Sequence, residues 1–354
     1  MKVLALNVGS SSLKAALVES QISQVLLRVR RELGPEELVG ILDQLFEDSR
    51  LHGLAAVGHR VVYGGDRSTS ALLDEPTIRA LEASISLDPL HAPMIMRAIH
   101  RIRERFPELP QVAVFDTAFH RSLPPEAAVY ALPPELGYRR YGFHGISHHF
   151  VALRAAEHLG VPLASLRLVS LHLGSGASAA AIGAGLSQET SMGYTPLEGL
   201  VMGTRPGDLD PGIVLDLVRR FGLERAEEIV QQKSGLKALA GTSDFRELWA
   251  RREEPQVNLA LKVYVHRILK YVGAYAAVLG GLDALIFTGG IGEHVPWVRE
   301  QVLLKLSFLG FRLDPEANLQ GGPQITFGKN PIALVLSTDE ELAVALETAR
   351  LIER

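Results

Sequence analysis

The chain contains 354 residues, of which 47% are hydrophobic and 21% charged, and its formal net charge is −4 at pH 7. These values are typical of a water-soluble globular protein, and the length favours two domains because single cores rarely grow beyond about 250–300 residues. The negative charge argues against nucleic acid as the main partner. The absence of cysteine excludes disulfides, thiolate catalysis and any zinc or iron–sulfur site built from cysteine.

The distribution of apolar residues also argues against a signal peptide and a membrane span. Only a few apolar residues follow Lys2 before the polar Asn7, which is too short for a secretory signal. The longest apolar stretch, residues 271–292, is interrupted by Asp283 and six glycines. It therefore predicts a helix, a break and a buried strand. We expect a cytoplasmic protein that does not bind membranes.

Short segments rich in valine, isoleucine and leucine, each closed by glycine, aspartate or serine, predict buried strands. They lie at residues 2–8, 54–62, 111–116, 166–173, 284–289 and 332–337. Apolar residues at helical spacing predict one helix between residues 258 and 281, and a second after Asp339 at the C-terminus. Strands that alternate with helices indicate an α/β fold.

One sequence pattern occurs twice. "LALNVGSSSLKAAL" at 4–17 and "LVSLHLGSGASAAAI" at 168–182 both read as an apolar strand, a Gly-Ser turn and a second apolar segment. Such an echo suggests two similar domains that face one another, although two short matches can also arise by chance.

Both Gly-Ser turns have the chemistry of a phosphate site. Small residues let backbone N–H groups approach an anion closely, and serine hydroxyls add donors. A plain hairpin is the alternative for either turn taken alone. Neither a P-loop nor a G-x-G-x-x-G sequence at a strand end occurs. "FTGGIGEH" at 287–294 is a third glycine cluster, where the backbone could lie against a flat ring or a ribose.

Three charged residues stand in contexts that favour function. Arg60 follows an apolar run in "GHRVVYGG" and precedes two valines. A surface arginine is the default interpretation, but these apolar neighbours favour a partly desolvated guanidinium, and such groups bind carboxylates or phosphates. Asp116 follows the strand in "VFDTAFH", as a functional carboxylate or as a helix cap. Arg205 lies in a long glycine- and proline-rich loop at 190–211, and such loops are usually functional when they are ordered.

The segment "YGFHGISHH" at 141–149 contains His144, His148 and His149. The first two are spaced as zinc ligands on a helix would be. Two glycines make a helix there doubtful and the glutamate of an HExxH motif is missing, so a histidine that donates a hydrogen bond to an anion is the favoured interpretation.

Taken together, these motifs resemble the acetate kinase family of the actin/Hsp70/sugar-kinase superfamily, in the same order from residue 3 to about 349. The resemblance implies an α/β fold with two similar actin-like (ribonuclease H-like) domains, each a mixed sheet flanked by helices, with the active-site cleft between them. The domains would cover residues 1–118 plus about 341–354, and residues 119–340. The resemblance also implies a homodimer.

The implied activity is reversible transfer of the γ-phosphoryl group of ATP to acetate, which yields acetyl phosphate and ADP by direct in-line transfer. Mg²⁺ is the implied metal and Mn²⁺ an alternative. A kinase of the same family that prefers propionate or butyrate is the nearest rival. An actin-like structural protein that binds ATP and a histidine-ligated metalloenzyme are more distant ones.

The resemblance assigns a role to individual residues. Asn7 and Glu340 would hold magnesium, with Glu341 as a less favoured substitute, and Arg60 would bind the substrate carboxylate. The implied catalytic residues are Asp116, His144 and Arg205. The implied pocket for the acyl methyl group consists of Val62, Leu90, Phe143 and Pro196. The implied nucleotide contacts are Ser12, Lys14, His172, Leu173, Gly174, Ser175, Gly176, Asp244, Phe245, Arg246, Gly289, Gly290, Ile291, Gly292 and Glu293.

The chain departs from the family pattern at several positions. Ser175 stands where asparagine is expected, Pro206 replaces a small polar residue, and Tyr63 replaces a histidine. Residues 18–55 form a shorter segment than family members generally carry. None of these departures removes a charged catalytic position.

Overall fold

A computed structural model describes residues 1–9, 12–34, 36–83, 85 and 91–353. The chain divides into two compact units. Unit 1 comprises Met1–Arg121, Gly145–Phe150 and Asp339–Arg354, and unit 2 comprises Ser122–His144 and Val151–Thr338.

Unit 1 contains a mixed six-stranded sheet. Its strands are β1 Lys2–Val8, β2 Ser12–Glu19, β3 Gln24–Glu32, β4 Leu54–Val61, β5 Ala71–Leu72 and β6 Gln111–Phe115. Their spatial order is β3-β2-β1-β4-β6-β5. The neighbours of β4 pair with it in parallel, while β1-β2, β2-β3 and β5-β6 are antiparallel.

Helices cover both faces of this sheet. They are α1 Leu38–Phe46, α2 Glu75–Ala83, α3 Ala92–Arg105 and α14 Glu340–Ile352, together with the first residues of α5 Gly145–Leu159. In β1, Leu4 and Leu6 pack into a core with residues of α1 and α3, while Val3 and Ala5 pack into another with residues of α14. Because both faces are buried, the strand is a continuous apolar run in the sequence.

The C-terminal helix α14 lies very close to β4. A Cβ atom at Gly58 would lie 2.2 Å from the Oγ1 atom of Thr348, so only glycine allows this approach. Asp339 caps the helix, since its Oδ1 accepts a hydrogen bond of 3.0 Å from the backbone N–H of Leu342. The cap fixes the first turn of α14, where Glu340 and Glu341 lie.

Unit 2 contains a second mixed sheet. Its strands are β7 Arg167–Leu173, β8 Ala177–Gly183, β9 Leu186–Thr190, β10 Ala284–Thr288 and β11 Ile332–Val335. Their spatial order is β11-β10-β7-β8-β9. The pairs β7-β10 and β10-β11 are parallel, and β7-β8 and β8-β9 are antiparallel.

Helices flank this sheet as well. They are the rest of α5 with α4 Pro125–Ala128, α6 Pro211–Phe221, α7 Leu223–Gln232, α8 Gly235–Ala240, α9 Phe245–Ala250, α10 Pro255–Val278, α11 Gly289–His294, α12 Pro296–Lys305 and α13 Pro315–Gln320. The buried face of α10 includes Leu261, Val265, Ile268 and Val272, as the spacing predicts. Within the described part of the chain, no helix is both long and apolar enough to span a membrane.

The fold class expected from the sequence is confirmed in that both units are mixed sheets flanked by helices. The repeated pattern forms two antiparallel hairpins, in which Asn7 lies opposite Lys14 and His172 lies opposite Ser178. Strands β3, β5 and β9 were not predicted from the sequence. In β3 the partly buried positions alternate with exposed ones, so the strand lacks the apolar run used for prediction.

One buried histidine couples the stability of unit 1 to pH. His59 in β4 is 1% exposed, and its Nε2 lies 2.7 Å from the Oε1 atom of Gln111 in β6. Its Nδ1 has no hydrogen-bond partner among the described residues. Burial lowers the pKa of His59 from 6.5 to about 4, against a smaller opposing effect of the hydrogen bond to Gln111.

We expect His59 to destabilise the fold as the pH falls from about 6.5 to about 4, because the unfolded chain takes up its proton first. Between pH 8 and pH 5 this loss amounts to about 2 kcal/mol of unfolding free energy. Urea denaturation at several pH values measures it. His59→Gln keeps an amide donor for Gln111 but cannot titrate, so its pH slope should be shallower by that amount. Equal slopes in the two proteins would contradict the prediction.

Candidate active site

Arg60 and Asp116 form the centre of a polar cluster in unit 1. They lie at the carboxyl ends of the adjacent parallel strands β4 and β6. The Nε of Arg60 donates to Oδ1 of Asp116 at 3.2 Å, and Nη2 donates to Oδ2 at 2.5 Å. Asp116 is 1% exposed, and both its carboxylate oxygens face the guanidinium group. The carboxylate therefore binds an arginine and does not cap a helix.

Asn7 connects this ion pair to the first turn of α14. Its Oδ1 accepts a hydrogen bond of 3.1 Å from Nη1 of Arg60. Its Nδ2 donates to Oε2 of Glu340 at 3.0 Å and to Oε1 of Glu341 at 3.1 Å. Both glutamates thus contact Asn7, whereas the sequence analysis favoured Glu340 alone. The distant pairing of residue 7 with residue 341 leaves no local sequence signal.

Negative charge exceeds positive charge in this cluster. Four carboxylates, those of Asp116, Asp339, Glu340 and Glu341, lie beside two guanidinium groups, those of Arg60 and Arg28, which leaves an excess of two negative charges when all are ionised. Burial raises the pKa of Asp116 to about 6, with Arg60 lowering it and Glu340 raising it further. Burial acts to lower the pKa of Arg60, but the surrounding carboxylates outweigh that effect and raise it.

The donor atoms of the cluster suit a hard divalent cation. Carboxylate and amide oxygens are the preferred ligands of such ions, and the excess negative charge favours one. No group of three or more histidine, cysteine, aspartate or glutamate side chains that could hold a metal occurs among the described residues. Magnesium usually takes only one or two protein carboxylates and completes its shell with phosphates and water, so the arrangement fits that ion. The described residues likewise give no support to a zinc site at His144, His148 and His149.

The first Gly-Ser turn follows β1 directly. The backbone N–H of Gly9 donates to the carbonyl of Ser12 at 2.8 Å and closes the turn. Lys14 on β2 lies opposite Asn7 across the hairpin. Two serines of this turn, at positions 10 and 11, lie outside the described residues.

In unit 2, two histidines stack beside the second Gly-Ser turn. The ring of His144 lies parallel to that of His172, with centroids 4.3 Å apart, and its Nδ1 is 2.9 Å from the Oγ of Ser178. His144 has φ 56°, a left-handed conformation that is strained for a residue with a side chain. Ser178 was not predicted as a site residue. Its place opposite His172 in the hairpin could have indicated it.

Arg205 lies over the same turn. Its Nη1 donates to the carbonyl of Pro196 at 2.7 Å. A Cβ atom at Gly176 would lie 2.7 Å from Nη2 of Arg205 and 3.5 Å from Cε1 of His144. Arg205 forms no ion pair within the described ranges, and burial lowers its pKa. A desolvated guanidinium without a carboxylate partner favours the binding of an anion.

The long loop that carries Arg205 is firmly anchored. Asp208 accepts hydrogen bonds of 2.9 Å from the N–H of Gly199 and from the hydroxyl of Tyr271, and it forms an ion pair of 3.1 Å with Arg267. Tyr271 and Arg267 belong to α10. The N–H of Gly203 also donates to the carbonyl of Ser175 at 3.0 Å. Arg205 is therefore held in place before any ligand binds.

Two of the predicted nucleotide contacts have structural partners of their own. Asp244 caps α9 by accepting a hydrogen bond of 2.8 Å from the N–H of Arg246, and that arginine lowers the pKa of Asp244 to about 2. Oε1 of Glu293 accepts from the N–H of Gly289 at 2.9 Å and from that of Thr338 at 3.4 Å. The carboxylate of Asp244 therefore stabilises the start of α9, and that of Glu293 stabilises the glycine-rich turn at Gly289.

A cavity of about 440 Å³ lies in unit 2 between α9, the segment from the end of α11 into α12, and α13. Phe245 and Arg246, both predicted nucleotide contacts, line it. Both tryptophans of the chain, Trp249 and Trp297, line it as well, with ring centroids 5.6 Å apart. Its aromatic walls suit a flat, largely apolar group.

The predicted acyl pocket is distributed over both units. Val62 belongs to unit 1 and is partly exposed. Phe143 and Pro196 belong to unit 2, where Phe143 is buried. Leu90 lies outside the described residues. That these side chains form one pocket stays a prediction.

The sequence profile of the Acetokinase family matches residues 35–346. The chain belongs to the acetokinase family. It is 42% identical to an acetate kinase of Coprothermobacter proteolyticus over 99% of either chain. Among solved structures it is similar to a propionate kinase from Francisella tularensis, with a TM-score of 0.92, and to an acetate kinase from Porphyromonas gingivalis, with a TM-score of 0.90. Each is 37% identical and matches over 99% of both chains.

Family membership identifies the protein as a phosphotransferase that acts on a carboxyl group, with ATP or ADP as co-substrate and a divalent metal. In this kinase, Arg205, His144 and Gly176 are brought together within unit 2, and Asn7, Arg60, Asp116 and Glu340 within unit 1.

Gly176→Ala should lower kcat/KM about 100-fold, because the new methyl group displaces the guanidinium of Arg205 and small misplacements of a catalytic group are costly. The unfolding free energy should change by less than about 1 kcal/mol, since the end of a long side chain moves and not the backbone. Steady-state kinetics and urea denaturation measure the two effects.

Gly273→Ala is the matched control. No atom lies within 4 Å of a Cβ at Gly273 in α10, so this variant should keep full activity and gain a little helix stability. Wild-type kcat/KM in a folded Gly176→Ala protein would show that the position of Arg205 is not required.

Proposed function

We propose that this kinase transfers the γ-phosphoryl group of ATP reversibly to acetate by direct in-line attack, yielding acetyl phosphate and ADP. The observation that carries the proposal is the guanidinium of Arg205, which is desolvated without an anionic partner beside His144 and a Gly-Ser turn. Such a site matches a phosphoryl group in transfer, whose charge must be stabilised by fixed donors.

The two reactants repel one another. Two unit charges 4 Å apart repel by about 4 kcal/mol at an effective dielectric constant near 20, and the phosphate carries more than one charge. Arg205 and His144 would offset the charge of the phosphoryl group, and Arg60 would bind the acceptor through the N–H donors that its carboxylate partners leave unused. The proposal requires these cations and donors to act on the same pair of reactants.

Arg60 has donors to spare for a carboxylate. Of its five N–H groups, the contacts to Asp116 and Asn7 use one on each nitrogen. One N–H remains on each of the two terminal nitrogens, and such a pair matches the two oxygens of a carboxylate. This supports acetate as the ligand of Arg60.

Asp116 would orient Arg60 and not remove a proton. A short carboxylic acid has a pKa of about 4–5, so acetate is already ionised at pH 7 and needs no base to become a nucleophile. The carboxylate of Asp116 holds two nitrogens of Arg60 and so fixes the plane of the guanidinium group. The acceptor then meets a guanidinium of fixed orientation.

Mg²⁺ would be held by Asn7 and Glu340, with Mn²⁺ as an alternative ion. When bound, the ion would neutralise charge on the phosphates of ATP. Ser12, Lys14 and the segment His172–Gly176 would contact those phosphates. The base would enter the cavity beside Phe245 and Arg246, next to the turn Gly289–Glu293.

A substrate panel tests the reaction. With ATP, Mg²⁺ and hydroxylamine, acyl hydroxamate should form fastest from acetate, about tenfold or more slowly from propionate, and least from butyrate, because each methylene costs about 1–3 kcal/mol in a small pocket. Val62→Ala should raise the propionate-to-acetate ratio of kcat/KM several-fold.

Val61→Ala is the matched control for that variant. Val61 is buried in the core of unit 1, so its truncation should lower stability without changing the substrate ratio. A wild-type preference for propionate or butyrate would favour the related carboxylate kinases, and a lack of any hydroxamate would refute the proposal. An unchanged ratio in Val62→Ala would remove Val62 from the pocket.

We further propose that the protein is a homodimer that pairs through α6. No residue of this helix is buried, although Ile213, Val214, Leu215 and Phe221 are large and apolar. Asp210 caps the start of the helix, Asp216 lies in its middle, where it pairs with Arg220 at 3.3 Å, and Arg219 and Arg220 lie in its last turn. Two antiparallel copies would therefore match apolar to apolar and acidic to basic, as a twofold interface requires.

Light scattering coupled to size-exclusion chromatography tests the dimer. Phe221→Glu should shift the wild-type dimer to a monomer, because it places a charge in the apolar interface. Leu72→Glu in β5 is the control, since Leu72 is 49% exposed against 48% for Phe221, and it should leave a dimer. A monomeric wild type, or a dimeric Phe221→Glu variant, would refute this interface.

A further inference from the structure

Arg299 in α12 is a buried cation without a carboxylate partner. It is 1% exposed, and its side chain is the largest of those that are fully buried among the described residues. No aspartate or glutamate in the described part of the chain forms an ion pair with it. Burial lowers its pKa to about 10, so it stays protonated at neutral pH. Burying a charge in this way costs free energy, and an apolar side chain would fill the space more cheaply.

Its guanidinium instead binds neutral oxygens of two neighbouring segments. Nη1 donates to the carbonyl of Gly292 at 2.9 Å and to that of Glu293 at 2.8 Å. Nε donates to Oδ1 of Asn318 at 2.8 Å, and Nη2 donates to the carbonyl of the same residue at 2.6 Å. The planar group thus holds the end of α11 on one side and α13 on the other.

Asn318 extends this connection. Its Nδ2 donates to the carbonyl of Pro296, the first residue of α12, at 3.0 Å. Arg299 and Asn318 together therefore fix α11, α12 and α13 to one another. The carbonyls at the C-terminal end of α11 would otherwise need other donors.

The same segments line the cavity. His294 and Trp297 line it where α11 passes into α12, and α13 lines it with Pro315, Leu319 and Asn318 itself. Arg299 itself does not line it. The separation of these walls thus depends on hydrogen bonds made behind them by one guanidinium group.

We propose that Arg299 is a positioning residue that sets the affinity for nucleotide by holding the walls of this cavity at the spacing of a base. This rests on the proposal that the cavity receives the base. Lysine cannot replace the group, because a single ammonium cannot serve oxygens in two segments with the fixed geometry of a guanidinium fork. The effect should fall on nucleotide binding and not on the chemical step.

The two tryptophans give a readout that is independent of activity. Both line the cavity and the chain has no others, so intrinsic fluorescence reports on nucleotide that enters it. In Arg299→Lys, titration with ADP should show a Kd at least tenfold above that of the wild type, and the KM for ATP should rise in parallel. The kcat and the KM for acetate should change less than twofold.

Arg167→Lys is the matched control. Arg167 also holds a backbone carbonyl, that of Gly280 at 2.8 Å, but it lies at the start of β7, whereas α11 follows the end of β10. This variant should keep the wild-type Kd for ADP. If Arg299→Lys does not fold, Asn318→Ala serves instead. It removes the side-chain hydrogen bonds of residue 318 to Nε of Arg299 and to the carbonyl of Pro296 but keeps the bond from Nη2 to its backbone carbonyl, so it should weaken ADP binding three- to tenfold.

A folded Arg299→Lys protein with a Kd within twofold of the wild type would overturn the proposal, as would an unchanged Kd in Asn318→Ala. A lower kcat together with an equal rise in the KM for ATP and in the KM for acetate would assign Arg299 a general structural role, and this result would also overturn the proposal. Weaker ADP binding in a protein that phosphorylates no carboxylate would support the role of Arg299 and refute only the proposed reaction.

Discussion

The guanidinium of Arg60 contacts an aspartate, an asparagine and a glutamate, and the polar cluster of unit 1 depends on these contacts. Without a cation between them, Asp116 and the two glutamates of α14 would repel one another at short range. Arg60 and Arg28 relieve this repulsion only in part, since with Asp339 included two negative charges remain. The remaining negative charge of the cluster favours the binding of a further cation.

Two arginines of unit 2 differ from Arg140, Arg167 and Arg267 of the same unit, which form ion pairs. Arg205 and Arg299 are both desolvated, and neither has a carboxylate partner among the residues described. They satisfy their hydrogen bonds partly or wholly with carbonyl oxygens, which orient a guanidinium without neutralising it. An excess of carboxylates favours a cation and an unpaired guanidinium such as that of Arg205 favours an anion, which agrees with the metal ion and the phosphates that we propose as ligands.

The sequence predicted those features that have a local signature. Runs of apolar residues marked the buried strands of both sheets, and the small residues after β1 and β7 marked the two turns. Asp116 was predicted from its place after a strand, but its partner could not be, because the pairing depends on two strands becoming neighbours. The same holds for Glu341 with Asn7 and for Asp208 with Tyr271, where the contact crosses many residues and leaves no periodic trace. Those contacts follow only from the three-dimensional structure.

The position of α14 in the chain has a consequence for synthesis on the ribosome. Asn7 belongs to β1, whereas its partner Glu340 follows 333 residues later. Until that helix leaves the exit tunnel, the side of β1 that carries Val3 and Ala5 has no cover from α14. A growing chain therefore leaves this apolar side of β1 without its helix until residues 340–352 have been made, and the turn that we propose holds the metal forms only then.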